Sequence, residues 1–167
     1  MLVTLRSLSR VLCLYPLLVP AQMSSLLNSC LLTDREGKEL DNAVLARADR
    51  VALYFSANFC KPCHEFLPLL KDFYEEVNED GKKLEIVFVS LDKSEEEMDK
   101  YHKEMGNWPK IAYANEDVRL GLKAKYGVEK IPSIIVLDDD KESAKCSDGV
   151  NDVRNMGPMA FDMKWGN

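Results

Sequence analysis

The sequence is organised around the stretch from Val51 to Leu70, VALYFSANFCKPCHEFLPLL, in which an apolar run leads into two cysteines and then into a helical pattern. The run VALYF contains no charged residue, which is typical of a strand buried on both faces. After Cys63 the pattern changes to that of a long amphipathic helix. Its apolar residues are Phe66, Leu70, Phe73 and Val77. Cys60 is therefore predicted to lie where the strand meets the helix.

This position favours the ionised form of Cys60. The first turn of a helix presents unpaired backbone N–H groups and the positive end of the helix dipole, which stabilise a thiolate. Lys61 and a protonated His64 add positive charge nearby, and cysteines in such C-x-x-C settings have pKa values lowered from ~8.5 to roughly 3.5–7.5. We predict that Cys60 attacks a disulfide and that Cys63 resolves the mixed disulfide, leaving a Cys60–Cys63 bond. Pro62 removes only a backbone donor that the first turn cannot use.

At these residues the chain resembles the thioredoxin superfamily and, within it, the tryparedoxin and nucleoredoxin-like branch. The resemblance spans roughly Leu31 to Trp165. It rests on Pro68, on Trp108 and on the segments LYFSANFCKPC, LEIVFVSLD with the acidic SEEEM after it, YGVEKIPSIIVLD and GPMAFDMKW. It implies an α/β thioredoxin-like fold, with a central mixed sheet flanked by helices. It also implies a thiol–disulfide oxidoreductase, a protein-disulfide reductase that cycles its C-x-x-C pair.

The resemblance further implies a substrate-binding surface around the cysteines. In the family a cis proline faces the pair, and the matching residue here is Pro132 after Ile131. Because proline has no N–H, it leaves the adjoining backbone free to pair with a substrate strand. The resemblance implies that Trp108 lies near the active site and contacts substrate. The alternative is that its side chain packs at the edge of the core. The expected substrate-binding residues are Phe59, Lys61, Pro62, Trp108, Ile131 and Pro132.

Two positions depart from the family's pattern. Phe59 stands where the family usually has a tryptophan before the first cysteine, so the aromatic wall is kept but the indole N–H is lost. Tyr54 occupies the position at which ordinary thioredoxins carry a buried aspartate that assists the resolving thiol. Tryparedoxin-like proteins are similar to this chain in lacking that aspartate. The group that accepts the proton of Cys63 is left open.

The composition limits the class of protein and its partners. With 167 residues, 46% of them hydrophobic, the chain has the material for one domain with a proper core. We expect residues 31–167 to form this thioredoxin-like domain and to be monomeric. The net charge of −6 argues against nucleic acid as a partner, because phosphate binding needs a basic patch.

The first thirty residues differ from the rest, and residues 1–33 contain no Asp, Glu or Lys. We expect residues 1–30 to be an N-terminal extension or a targeting segment. A secretory signal peptide, a mitochondrial presequence and a plain extension before Met23 all fit this composition. The expected location is the cytoplasm, with the nucleus as a further site and the secretory pathway and mitochondria as alternatives. Because the apolar run is short and is interrupted by Pro16 and Pro20, we expect no membrane span.

The remaining elements follow from capping, turn and periodicity signals, and their order of strand, helix, strand, helix implies parallel pairing. In chain order we predict a strand pair over 31–40, a helix over 41–48 capped by Asp41, and a buried strand over 84–90. These are followed by a helix from Ser94 to about Met105, a loop over 106–115 and a helix that ends at Gly127. The last elements are a strand over 133–137, a turn over 138–141, and a turn from Ser147 followed by a terminal helix over 158–165. His102 is expected to face solvent. The family's last helix usually continues further, so part of the sheet face beside it is expected to be exposed.

No cofactor is expected beyond the redox-active cysteine pair and an external thiol electron donor. With only two histidines and no second C-x-x-C, the sequence offers no zinc constellation. Cys13, Cys30 and Cys146 have no near partner in sequence and are interpreted as isolated thiols. The segment CKPCH matches the C-x-x-C-H signature of c-type haem attachment, but the buried strand that leads directly into it disfavours haem.

Two functions stay open at this stage. The first is an enzyme that transfers electrons between dithiols and protein or low-molecular-weight disulfides. The second is a nucleoredoxin-like module that binds signalling partners, with the cysteines gating the contact. The presence of both cysteines and of Ile131-Pro132 favours the enzyme, because a module that only binds would tolerate the loss of Cys63.

Overall fold

Strands and helices alternate along most of the chain in the computed structural model, which describes Leu27 and residues 29–166. The strands of this part are β1 (Leu32–Thr33), β2 (Glu39–Leu40), β3 (Arg50–Ser56), β4 (Leu84–Ser90), β5 (Lys110–Ile111), β6 (Ser133–Leu137) and β7 (Ala144–Cys146). The helices are α1 (Ala43–Ala46), α2 (Lys61–Val77), α3 (Glu95–His102), α4 (Glu116–Lys125) and α5 (Gly149–Met156), followed by a π-helical turn over Phe161–Trp165.

One mixed sheet connects these strands in the order β2-β1-β5-β4-β3-β6-β7. The central strands β3 and β4 pair in parallel from Arg50 opposite Leu84 to Ser56 opposite Ser90, and β4 also pairs in parallel with β5. The other pairs, including β3 with β6, are antiparallel. The predicted α/β thioredoxin-like fold with a mixed central sheet is confirmed.

Strand β3 separates two hydrophobic cores, which explains its uninterrupted apolar sequence. Ala52 and Tyr54 lie in one core, and Val51, Leu53 and Phe55 lie in the other. Helices α2, α3 and α5 and the π-helical turn cover the first face, whereas α1 and α4 cover the second. Since successive side chains of a strand point to opposite faces, every residue of β3 must be compatible with burial.

Two short elements were missed by the sequence analysis. Strand β5 lies inside the predicted loop, where two residues give no periodic signal and one of them is Lys110. The Lys110 side chain is buried, and its ammonium group lies 2.8 Å from a carboxylate oxygen of Asp99. Helix α5 lies where a turn was predicted, and Gly149 at its start packs so closely on Ile134 that a Cβ atom would lie 2.6 Å from the Cγ2 atom of Ile134.

Several predicted helix ends shift by a few residues. Helix α1 is shorter than predicted and its N-cap is Asn42 and not Asp41, because the helix starts only at Ala43; the Asp41 carboxylate still accepts the N–H of Ala43 at 2.8 Å. Helix α3 ends at His102 instead of Met105, because the N–H groups of Glu104 and Met105 bond three positions back, as in a 3₁₀ turn. The terminal helix appears as the π-helical turn, and its Trp165 packs edge-on against Phe73.

The expectation that His102 faces solvent is wrong. His102 is fully buried at 0% exposure, stacks on Phe88 and places Nε2 at 2.9 Å from the carbonyl oxygen of Trp108. Met98, Tyr101 and His102 form the buried side of α3, a helical spacing that the surrounding acidic residues hid. Burial lowers the pKa of His102 to about 4.

The predictions for residues 1–26, which include the targeting alternatives and Cys13, lie outside the described residues. In the part that the structure describes, none of the helices has the length and apolar character that a membrane crossing requires.

We expect the free energy of unfolding to decrease as the pH falls from about 6.5 towards 4, because His102 takes up a proton in the unfolded chain but not in the folded one. Its contribution should change by about 2 to 3 kcal/mol between about pH 7.5 and about pH 4.5. Urea unfolding of the wild type and of His102→Gln measures the contribution of His102 to stability. Glutamine is the suitable replacement because it keeps an N–H donor but does not titrate. The same pH dependence in both proteins would contradict the assignment.

Candidate active site

The cysteine pair lies at the carboxyl end of β3, where the chain enters α2 after a loop over 57–59. Cys60 is the N-cap residue of α2, and Pro62 lies in the first turn. Cys60 and Cys63 are joined by a disulfide, and their Cα atoms lie 5.2 Å apart, within the usual range for such bonds. The predicted position of Cys60 at the junction of strand and helix is confirmed.

The two sulfurs have different environments. Cys63 is fully buried, at 0% exposure, whereas Cys60 is 7% exposed and follows Phe59, which is 60% exposed. The backbone N–H of Cys63 donates to the sulfur of Cys60 at 3.3 Å. After reduction the same donor is placed to stabilise a thiolate at Cys60. A substrate disulfide can therefore reach Cys60 more readily than Cys63.

The positive charges predicted beside Cys60 have acidic partners. The Lys61 ammonium lies 3.9 Å from a carboxylate oxygen of Glu65, and both side chains are exposed. The Nδ1 atom of His64 lies 3.5 Å from a carboxylate oxygen of Glu104. Since exposed charges are also screened by solvent, the fixed N–H groups of the helix start become the main source of positive potential at the sulfur.

The cis proline lies beside the pair, as the resemblance implied. The Ile131–Pro132 peptide bond is cis. The carbonyl oxygen of Ile131 lies 3.7 Å from the sulfur of Cys60. Both residues are partly exposed, so a chain bound along them would lie against the reactive sulfur.

The loop before Cys60 is held by hydrogen bonds that the sequence did not reveal. The N–H of Cys60 donates to the carbonyl of Ala57 at 3.1 Å. The N–H of Asn58 donates to the carboxylate of Asp92 at 2.7 Å, and the carbonyl of Asn58 accepts from Nε2 of His64 at 2.7 Å. These contacts join residues up to 34 positions apart, and a single sequence carries no local signal for them.

The predicted substrate-binding residues separate into two groups. Five of them lie next to Cys60 in sequence or in the cis-proline loop, whose Ile131 carbonyl oxygen lies 3.7 Å from the Cys60 sulfur; they are Phe59, Lys61, Pro62, Ile131 and Pro132. Trp108 is only 2% exposed and packs edge-on against Tyr74, with ring centroids 5.1 Å apart. Gly106 leaves room for its ring, since a Cβ atom there would lie 2.1 Å from it. The structure thus shows the packed alternative for Trp108 and not a position at the site.

The residue in place of the family's aspartate belongs to a buried hydroxyl cluster. The hydroxyl oxygen of Tyr54 lies 3.5 Å from that of Tyr101, which lies 3.1 Å from the hydroxyl oxygen of Ser56. Burial raises the pKa values of both tyrosines. Both hydroxyls therefore stay neutral near pH 7, and neither can act as a carboxylate-like base towards Cys63.

The residues of CKPCH do not fit haem attachment. Cys63 is fully buried, so its sulfur offers no exposed position for a bond to the macrocycle. His64 uses Nε2 to hold the carbonyl of Asn58. Among the described residues, no group of His, Cys, Asp and Glu is placed to hold a metal ion.

The buried strand, the C-x-x-C pair capping a helix and the cis proline beside Cys60 define a thiol–disulfide redox protein of thioredoxin fold. Comparison with known proteins agrees. The model of the family described as thioredoxin-like matches residues 49–143. Thioredoxin from Wuchereria bancrofti is 40% identical and superimposes with a TM-score of 0.71 over 84% of this chain and 96% of its own. Tryparedoxin I from Leishmania major is 31% identical, with a TM-score of 0.72 over 84% of this chain and 94% of its own.

The chain belongs to the thioredoxin-like family, in its tryparedoxin and nucleoredoxin-like branch. Nucleoredoxin from Danio rerio is 38% identical over 106 residues, which is 64% of this chain and 25% of that protein. The chain thus spans about a quarter of the length of the nucleoredoxins it matches.

We expect reduced protein at about pH 7 to contain one thiol that reacts rapidly with iodoacetamide, namely Cys60. Burial raises the pKa of Cys30 to about 11, and burial together with the nearby Asp152 carboxylate raises that of Cys146 to about 11. Such a thiol is ionised in only roughly 1 molecule in 10,000 at about pH 7.

The label is mapped by peptide mass spectrometry in a Cys13→Ser background, because Cys13 lies outside the described residues. Cys60→Ser should remove the fast reaction. Fast labelling of Cys63 or Cys146 instead would contradict the assignment of Cys60 as the nucleophile.

We expect Tyr54→Phe to leave kcat/KM for disulfide reduction within about twofold of the wild type and to lower the free energy of unfolding by about 1 kcal/mol or less, the cost of one weak hydrogen bond. The neutral hydroxyl of Tyr54 is not the base for Cys63, so its removal affects packing and not proton transfer. Steady-state kinetics and urea unfolding measure the two effects. A tenfold loss of activity at unchanged stability would show instead that the hydroxyl takes part in the reaction.

Proposed function

We propose that the protein is a protein-disulfide reductase. The thiolate of Cys60 attacks one sulfur of a substrate disulfide and displaces the other as a thiolate, which forms a mixed disulfide. Cys63 then loses its proton and attacks the sulfur of Cys60. This releases the substrate as a dithiol, reduced by two electrons, and leaves the Cys60–Cys63 disulfide. An external dithiol returns the pair to its reduced form.

The observation that carries this proposal is the asymmetry of the pair. Cys60 keeps 7% of its surface exposed and receives the N–H of Cys63, whereas Cys63 is fully buried one helical turn further on and is bonded to the sulfur of Cys60. This arrangement suits Cys60 for attack on a substrate disulfide and Cys63 for resolution of the mixed disulfide. A structural disulfide would not need one sulfur at an exposed helix start beside an exposed phenylalanine.

The surface around Cys60 supports a polypeptide as the substrate. Phe59, which precedes Cys60 in sequence, is exposed, and Ile131 and Pro132, whose loop approaches the Cys60 sulfur, are partly exposed. An extended segment placed between them can contact the apolar ring and pair with the backbone next to Pro132, which matches the way extended peptides are commonly bound. The names thioredoxin, tryparedoxin and nucleoredoxin of the related proteins agree with this class of activity.

We expect the purified protein to reduce insulin disulfides in the presence of dithiothreitol, at a rate well above that of dithiothreitol alone. Precipitation of the insulin B chain, followed as turbidity, measures the rate. Cys60→Ser should abolish the activity because no nucleophile remains. Cys146→Ser is the matched control and should retain it, because Cys146 donates to Asp152 at 3.0 Å, in a different part of the fold.

Cys63→Ser extends the test, because a mixed disulfide at Cys60 can no longer be resolved. Covalent partners retained by this variant and released by reductant would identify substrates. Wild-type activity no greater than that of dithiothreitol alone would contradict the proposal and favour the redox-gated binding module.

A further inference from the structure

Phe59, in the short loop that presents Cys60, has little packing of its own. Phe59 is 60% exposed, so few contacts fix the direction of its ring. The direction must come from the backbone on either side of Phe59. The preceding residue, Asn58, is therefore the point at which this part of the site can be held.

Two side chains from different elements hold the backbone of Asn58. Asp92, in the segment after β4, accepts its N–H at 2.7 Å, and His64, in the first turn of α2, donates Nε2–H to its carbonyl at 2.7 Å. Asp92 is itself fixed, since its second oxygen accepts the hydroxyl of Ser90 at 2.9 Å. The peptide between Asn58 and Phe59 is thus tied to α2 by one bond, and the donor of that bond is His64.

The ring of His64 packs against α3 and lies close to a carboxylate. Its centroid lies 4.6 Å from that of Tyr101 in α3, and its Nδ1 lies 3.5 Å from the Glu104 carboxylate. The Tyr101 hydroxyl in turn contacts Ser56, the last residue of β3. His64 therefore connects α2, α3 and the loop at the place where the strand ends.

We propose that His64 is a positioning residue, which fixes the peptide before Phe59 and so sets how Phe59 and Cys60 face a substrate. The role depends on the Nε2–H donor and not on the charge of the imidazole. The expected effect of His64 on rate rests on the proposed reductase function. The hydrogen bond from His64 to the loop does not, because it exists whether or not the protein is a reductase.

Two substitutions separate the donor from the charge. His64→Gln keeps a side-chain N–H donor and removes the titratable ring, whereas His64→Phe keeps a ring and removes the donor. We expect kcat/KM for insulin reduction to fall about fivefold to tenfold in His64→Phe, as expected for loss of one hydrogen bond, and to stay within about twofold of the wild type in His64→Gln. Glu75→Gln, on the exposed part of α2, is the control for a surface change in the same helix.

Hydrogen exchange of the loop, followed by mass spectrometry of a peptide covering 57–62, gives a readout that does not need activity. Exchange should be faster in His64→Phe than in the wild type and unchanged in His64→Gln. Amides of β4 should exchange equally in all three proteins. If β4 exchanges faster in His64→Phe, the variant is destabilised as a whole and His64→Leu takes its place.

Equal loop exchange in the wild type and in the donor-lacking variants would overturn the assignment. Equal losses of activity in His64→Gln and His64→Phe would also overturn it, because they would show that the charge matters and not the donor. A wild type that fails to reduce insulin would refute the reductase function alone. The exchange experiment would then still decide whether His64 holds the loop.

Discussion

The bond from the N–H of Cys63 to the sulfur of Cys60 links the start of α2 to the chemistry of the site. Helix N-caps are usually oxygen-bearing side chains, and here a sulfur fills that position. A neutral sulfur is a weak acceptor, whereas a thiolate accepts much more strongly. Ionisation of Cys60 thus strengthens the cap, and the cap stabilises the ion. Structure and reactivity are coupled in this one contact, which depends on the helix beginning at Cys60 and at no neighbouring residue.

The parallel pairing of the two central strands brings the supporting residues to that helix start. Because β3 and β4 run in the same direction, Ser56 and Ser90 end their strands at the same edge of the sheet. The segment after Ser90 then lies beside the loop after Ser56, where the N–H of Leu91 donates to the carbonyl of Ser56. Asp92 reaches the loop for this reason. Burial of β3 between two cores keeps the edge itself in place.

The parts that could be predicted from the sequence are those with a strong local signal. The apolar runs of β3, β4 and β6 come from burial of consecutive residues, and the helical period of α2 comes from burial of one of its faces. Cys60 and Cys63 form the C-x-x-C spacing, and Pro132 is identified through the family resemblance. By contrast, β5 contains a buried lysine that pairs with the partly exposed Asp99, and the buried His102 packs on Phe88 and contacts the carbonyl of Trp108. The contacts of Asn58 and the packing of Trp108 likewise exist only once distant segments meet.

The fold supplies positive potential at the sulfur of Cys60 although the protein carries a net charge of −6. A buried carboxylate close to two thiols would raise their pKa values by like-charge repulsion. At the position of the family's aspartate this chain has Tyr54, which burial keeps neutral, so that repulsion is absent there. Lys61 and His64 are offset by Glu65 and Glu104. What is left at the sulfur is the potential of the helix terminus, whose donors are part of the backbone and do not move as flexible side chains do. The positive potential at the sulfur of Cys60 therefore comes from the fold of the chain and not from the charges on its surface.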